Sequence, residues 1–339
     1  MPNEAQHSHD GYGEAGLAAR AAWLYFSGGM TQGQIAKRLG VTSIKAHRLI
    51  ARASRDGLVR VFVDAEVAEC LELEEAIRQR FGLDFCSVAP DLGEETAMPL
   101  KVLGIAGAHF LKNEIERGEY ALIGVGHGRT LAAAIDAMPA VATGRTRFVS
   151  VLGGFTRRFA ANPYDVIHRL AEKTGAEAFQ IPLPTFANTA EDKAVLLSQP
   201  GVGEVFDLAC SAPLVFAGVG DVTEDAFLFT ASLVGPDEIH EIRAGKAIGE
   251  LLGHYFNAEG QPVAEAVSAR ALSPTLAHLS ASRVVALAGG ADKVSPILAL
   301  LRSGFLDGLV TDEVTARALL GEGGAGREMP QPASVISHA

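Results

Sequence analysis

The sequence predicts an α/β fold in two parts: a small helical N-terminal domain, then a larger domain built on a doubly wound, mostly parallel sheet. Two observations carry this. Seven short runs rich in Val, Leu, Ile and Phe recur between residues 84 and 312, and most are followed by a helical apolar period. They are continuous rather than alternating in hydrophobicity, as strands buried on both faces require. Charge is also segregated. Residues 20–60 hold eight basic side chains against one acid, Asp56, a local charge of +7; the whole chain carries −11, so the remainder carries −18. A basic head on an acidic body follows.

The head begins with a helix through Ala22, Trp23, Tyr25 and Phe26 that ends at Gly28-Gly29. Thr31 stands three residues before Gln34, the capping-box spacing, and opens a helix through Ile35, Ala36 and Leu39 that Gly40 stops. Thr42 is a second N-cap candidate, and Val41 is placed to staple onto Ala46. Ala46, Leu49, Ile50 and Ala53 form the inward stripe of a third helix. Its outer side keeps Ser43, Lys45, His47, Arg48 and Arg52. Two short helices joined by a tight glycine-containing turn, the second with a polar and basic outer face, describe a helix-turn-helix. Lys and Arg neutralise phosphates, while Ser, His and Arg near the start of such a helix reach base edges. The candidate DNA contacts are Thr31, Gln32, Thr42, Ser43, Lys45, His47, Arg48 and Arg52, with Arg55 a further phosphate contact. A protein-binding helical hairpin would allow the same apolar spacing. LVRVFVD, after Gly57, alternates as a short strand closing this domain, and VAECLELEEAIRQRFGL is an amphipathic helix leading into the body.

In the body the apolar runs are DFCSVAP, YALIGVG, FVSVLGG, AFQIPLP, LVFAGVG, RVVALAGG and GLVTD. Four of them end in glycine pairs: Gly124-Val-Gly126, Gly153-Gly154, Gly218-Val-Gly220 and Gly289-Gly290. Ligands of open α/β sheets bind outside the carboxyl ends of the strands, where glycine admits close approach and a following helix N-terminus attracts anions. Gly126-His-Gly128-Arg129-Thr130 opens the helix TLAAAIDAM, so phosphate is the expected guest, with Arg129 adding charge and the Thr130 hydroxyl a donor. Lys293, opening the helix KVSPILALLRSG, is a second cation. The turn is no dinucleotide fingerprint, because Arg129 stands where the third Gly or Ala would be.

These motifs, in this order, resemble the SorC/DeoR-type sugar-binding transcriptional regulators. The resemblance rests on GGMTQGQIAKRLGVTSIKAHRLIARASRDGLVRV, YALIGVGHGRTL, VSVLGG, VFAGVG, IGELLGHYFNAEG and VVALAGGADKVSPILALLRSGFLDGLVTDEVTA, and runs from about residue 21 to 320. KAHRLI and GGADK resemble regulators of erythritol or related polyol catabolism. The resemblance implies an effector domain folded like a sugar-phosphate isomerase, a phosphorylated sugar or polyol as effector, operator DNA as partner, and a homo-oligomer, often a tetramer. It places effector contacts at Gly126, Gly128, Arg129, Thr130, Gly154, Glu250, Gly289, Gly290 and Lys293. For Glu250 the alternative is a solvated carboxylate on a helix. Where such regulators often read Ser-Arg, this chain has Thr42-Ser43-Ile44-Lys45, which bears on the operator sequence and not on the fold. The implied layout is a disordered tail over 1–15, a DNA-binding domain over 16–64, an effector and oligomerisation domain over 65–320, and a second disordered tail over 321–339.

Catalysis is the main rival, as a sugar-phosphate isomerase or hydrolase on the same scaffold. That chemistry needs a placed general base. His127 sits in the glycine turn but serves equally as a hydrogen-bond donor to a bound hydroxyl. His109, His168, His240, His254 and His278 fall in expected helices or loops without a matching acid. No Gly-x-Ser-x-Gly elbow, His-Glu-x-x-His or P-loop occurs, and an isomerase has no use for a basic head. The expectation is therefore no enzyme, no cofactor and no metal. Cys70, Cys86 and Cys210 are too few and too scattered for a disulfide or zinc framework, which points to a reducing compartment. With no signal peptide and no apolar span of ~20 residues, a soluble cytoplasmic protein is expected.

Overall fold

The computed structural model describes residues 14–56, 58–59, 68–94, 96–154, 164–223 and 234–321. The chain divides into two compact units, 1–64 and 65–339. No helix among the described residues is long and apolar enough to cross a membrane.

Three helices make the first unit: α1 (Glu14–Phe26), α2 (Gln32–Leu39) and α3 (Ser43–Arg55). Their shared core is Ala18, Ala21, Ala22 and Leu24 from α1, Ile35, Ala36 and Leu39 from α2, and Ala46, Leu49, Ile50 and Ala53 from α3. Alanines dominate because small side chains let short helices approach closely. Trp23, Tyr25 and Phe26 are exposed, so the helix expected through them exists but buries Ala18, Ala21, Ala22 and Leu24. α1 starts at Glu14, inside the segment 1–15 expected to be a tail. Glu14 lies in the first turn, where a carboxylate suits the helix dipole, and it pairs with Arg52 at 2.8 Å. Residues 1–13 of that expected tail lie outside the described residues.

The caps expected from sequence are present. The Thr31 amide donates to Gln34 Oε1 at 2.8 Å and the Gln34 amide to Thr31 Oγ1 at 3.4 Å, a reciprocal capping box. Thr42 Oγ1 accepts from the Lys45 amide at 3.2 Å, opening α3. Val41 packs on the three-helix core. The strand expected over 58–64 falls mostly outside the described residues.

The second unit opens with the amphipathic helix Ala68–Phe81, whose Cys70, Leu73 and Ile77 enter the main core. That core lies against a seven-stranded sheet of β1 (Phe85–Ala89), β2 (Leu122–Val125), β3 (Arg147–Ser150), β4 (Ala178–Phe179), β5 (Leu214–Gly218), β10 (Arg283–Leu287) and β11 (Gly308–Asp312), in the order β1-β11-β10-β5-β2-β3-β4. Every pairing in it is parallel. The seven strands coincide with the seven apolar runs. From β2 the chain winds outward through β3 and β4, then returns to β5 on the other side of β2 and continues to β10 and β11. The winding direction therefore reverses between β2 and β5, and such a reversal opens a crevice at the carboxyl ends.

A second sheet is antiparallel: β6 (Gly220–Asp221), β7 (Gly249–Leu251), β8 (His254–Phe256) and β9 (Pro262–Val263). It excludes the alternative given for Glu250 and corrects the placement expected for His254. Glu250 is a buried strand residue, not a solvated helix carboxylate. His254 is likewise in a strand, with its ring against the Pro274 carbonyl at 2.9 Å. The sequence hides this sheet because its strands span two or three residues, too few to display a period. Of the tail expected over 321–339, Gly321 caps the last helix and 322–339 lie outside the described residues.

Thr31→Ala removes the Oγ1 acceptor of the Gln34 amide while keeping the Thr31 amide bond to Gln34 Oε1, and should destabilise the first unit by ~1 kcal/mol. The chain's single tryptophan, Trp23, lies on α1, so its fluorescence during chemical denaturation reads that loss separately from the body.

Candidate effector site and nucleic-acid interface

The crevice between β2 and β5 holds a cavity of roughly 100 Å³. Gly128, Arg129 and Thr130 enter it from the end of β2, Gly218–Asp221 from the end of β5, Leu287–Gly289 from the end of β10, and Glu250 and Leu252 from the β7–β8 hairpin, with Lys293 and His127 beside them. Six of the nine expected effector residues thus line one cavity: Gly128, Arg129, Thr130, Glu250, Gly289 and Lys293. The other three sit elsewhere. Gly126 is buried, its amide donating to the Phe216 carbonyl at 2.9 Å. Gly154 faces Asp165 and Gln180. The Gly290 amide is turned to Thr315 Oγ1 at 2.8 Å and Asp312 Oδ2 at 3.3 Å.

At one side of the cavity the helix Arg129–Ala137 begins without a side-chain cap. Gly128, its N-cap, has φ 133°, a backbone that side chains rarely adopt. Such an open N-terminus offers amide donors and a positive dipole end to an anion, and the exposed Arg129 adds a full charge there. Thr130 plays a different part from the one expected. Its hydroxyl donates to the Leu287 carbonyl at 3.1 Å, tying this helix to the end of β10.

The opposite side is acidic. Lys293 Nζ donates to Asp221 Oδ2 at 2.6 Å and to the Val219 carbonyl at 2.9 Å. The expected second phosphate cation is therefore buried and already neutralised by a carboxylate that the sequence reading missed. Burial pushes the Asp221 carboxyl up, but hydrogen bonds from Lys293 and Thr223 outweigh it and hold the group below its ordinary value.

Glu250 reaches the cavity from β7. Its Oε1 accepts the Gly253 amide at 2.5 Å, a bond made by a two-residue turn in which Leu252 and Gly253 both take positive φ, 51° and 82°. A Cβ on Gly220 would stand 2.1 Å from Glu250 Oε2, so glycine at the start of β6 is what leaves room for this carboxyl. Burial raises the Glu250 pKa to about 7, the Gly253 bond and Lys293 opposing and Asp221 adding to the rise. Burial alone lowers His127 to about 4, leaving a neutral imidazole to exchange hydrogen bonds. Asp221 had one available signal, its place directly after a glycine-terminated strand.

Among the described residues no three His, Cys, Asp or Glu side chains are grouped to hold a metal ion. The three cysteines are free, and burial raises each thiol pKa.

On the head, Ser43, Lys45, His47 and Arg48 are exposed on α3, opposite its buried stripe. Thr31 and Thr42 are the caps described above. Gln32, the first residue of α2, reaches His47 on α3, with Nε2 3.1 Å from Nδ1. Arg52 departs from its expected freedom: it is paired with Glu14 at 2.8 Å and Asp56 at 3.1 Å, which raises its pKa further.

A small helix-turn-helix unit joined to a doubly wound domain with a polar cavity at its switch point defines a ligand-responsive transcriptional regulator. Residues 65–321 match the family described as "Putative sugar-binding domain", and the chain belongs to this family of SorC-type transcriptional regulators. It is 53% identical over 306 residues to the erythritol catabolism regulatory protein EryD of Brucella abortus, with 90% of this chain and 96% of that protein covered. It is 32% identical over 314 residues to the transcriptional regulator LsrR of an Enterobacter species (strain 638), with 91% and 93% covered. The crystal structure of the full-length sorbitol operon regulator SorC of Klebsiella pneumoniae superposes with a TM-score of 0.69 at 25% identity, covering 90% of this chain and 98% of that one. These relatives are named as regulators, not enzymes.

Because folded Glu250 titrates near 7 and an unfolded glutamate near 4.5, the folded state holds an extra proton between those values. Stability contributed by this group is complete below about 4.5 and is lost as pH rises towards about 7, by at most ~1.4 kcal/mol per pH unit. Thermal unfolding midpoints measured across that window should fall with pH in the parent protein, and Glu250→Gln should flatten the slope.

Proposed function

We propose that the chain represses a carbohydrate or polyol catabolic operon in the cytoplasm and releases its operator when a phosphorylated sugar or polyol fills the cavity. The observation carrying this is the cavity's polarity. An uncapped helix N-terminus with Arg129 suits a phosphate, while Asp221, Glu250 and His127 suit hydroxyl groups. The relative named for erythritol catabolism supports a short polyol chain as the hydroxyl-bearing part. Lys293 acts chiefly through Asp221, which it holds ionised as an acceptor.

Operator binding is assigned to α3 in the major groove, with Lys45 and Arg48 contacting bases or phosphates and Arg55 contacting phosphate. Arg52, engaged by Glu14 and Asp56, serves the head's structure. One head buries too little surface for tight operator binding, so two heads on half-sites ~34–36 Å apart are expected, held by an oligomeric body. The acidic body discourages DNA contact elsewhere. Effector and operator would be coupled by ~1–3 kcal/mol, roughly 5–150-fold in affinity.

Fluorescence anisotropy on duplex DNA from upstream of the protein's own gene, with random duplex as competitor, tests this. Specific binding that falls steeply with salt and weakens on addition of erythritol 4-phosphate, but not of inorganic phosphate, is the expected result. Equal weakening by unphosphorylated erythritol would remove the phosphate from the assignment. Arg48→Ala should lower affinity and, if the contact is to a phosphate, make the log–log salt slope shallower by ~0.9, with effector binding retained.

Lys293→Ala should strand Asp221 half-enclosed without its cation. A loss of stability approaching the ~3–5 kcal/mol of a broken buried pair is expected in denaturant unfolding, together with weakened effector binding. Unchanged stability would show that the pair does not anchor the site.

A further inference from the structure

His47 stands in the first half of α3, on the exposed side opposite Ala46, Leu49 and Ile50. Its ring has a hydrogen-bond partner on the neighbouring helix. Gln32, fixed at the start of α2 by the capping box around Thr31, places its amide Nε2 3.1 Å from His47 Nδ1 across fifteen residues of sequence. An amide nitrogen can only donate, so Nδ1 accepts and the neutral ring's proton lies on Nε2. Nε2 is the ring nitrogen remote from this contact, and its N–H is left as a donor on an exposed side chain.

Lys45 and Arg48 flank His47 with long, many-rotamer chains suited to phosphates. A short imidazole with two torsions, locked by a neighbour, spends less entropy in making a base contact. In the major groove the acceptors for such a donor are purine N7, guanine O6 and thymine O4, and N7 is the one that both purines share. Gln32 itself is half-buried.

We infer that His47 reads one purine in each operator half-site through N7, and that Gln32 is the positioning residue that sets the tautomer and aim of its ring. This rests on assigning operator binding to α3. Lys45 and Arg48 then supply affinity, and the Gln32–His47 pair supplies discrimination at one base pair.

The test is selection of duplexes from a randomised pool by the full-length protein and by His47→Ala, Gln32→Ala and Gln32→Asn. Gln32→Asn keeps a residue suited to a helix start while its amide falls one methylene short of the ring. The parent should enrich a purine at one position per half-site. His47→Ala should lose that preference alone. Both Gln32 variants should weaken it at the same position, leaving the remaining consensus and the salt slope unchanged. Replacing the selected purine by its 7-deaza analogue should cost the parent roughly fivefold or more in affinity and cost His47→Ala nothing.

An unaltered consensus in His47→Ala, or a parent indifferent to 7-deaza substitution, overturns the base contact. Loss in His47→Ala with full retention in both Gln32 variants overturns the positioning role. If the parent enriches no sequence at all, operator binding by α3 fails first, an outcome distinct from the other two.

Discussion

The buried ion pair between Lys293 and Asp221 joins the two sheets of the larger unit. Lys293 follows the end of β10 and Asp221 belongs to β6, so the 2.6 Å contact, with the bond to the Val219 carbonyl, pins the small antiparallel sheet over the carboxyl edge of the parallel one. Without that cover the crevice between β2 and β5 would be an open groove. With it, Glu250 and Leu252 close the cavity from a side that the parallel sheet cannot reach. Burying a charged pair is costly unless further hydrogen bonds satisfy it, and here the Val219 carbonyl and Thr223 do so.

The same pair explains the cavity's polarity. A free lysine beside an arginine and a helix N-terminus would make a uniformly positive hole for a multiply charged anion. Asp221 cancels Lys293, and Glu250 adds an ionisable group whose charge is finely balanced at neutral pH. The result is a dipolar site: positive where the helix Arg129–Ala137 begins, and acceptor-rich where the small sheet meets it. A molecule with a phosphate at one end and hydroxyls along its length matches both ends.

The head obeys a separate logic. Its core is almost all alanine, leucine and isoleucine, and its precision comes from caps and side-chain bridges at helix ends. Thr31 and Thr42 fix where α2 and α3 start, Glu14 and Asp56 restrain Arg52, and Gln32 restrains His47. Of the polar side chains on the outside of α3, some are thus committed to the fold and others are left for a partner. Spacing and charge alone do not reveal that Arg52 is engaged by Glu14 and Asp56.

Sequence by itself determined what depends on local pattern. All seven parallel strands are legible, because a strand buried on both faces must be apolar throughout. Both threonine caps are legible too, since capping works within three residues. The glycine-rich strand ends marked the edge of the sheet where the cavity lies, and Gly128, Arg129 and Thr130 marked the helix that begins at its wall. Tertiary structure decided everything that depends on non-local approach. It set the strand order that places β2 beside β5, the partner that converts Lys293 from a free cation into half of a pair, and the removal of Gly126, Gly154 and Gly290 from the cavity wall. It also built β6–β9, whose strands are too short to show a period, and with them the burial that gives Glu250 its shifted proton affinity. A carboxylate's character is set by what surrounds it, and here the charges that act on Glu250 come from Asp221 and Lys293, 72 residues apart in the chain.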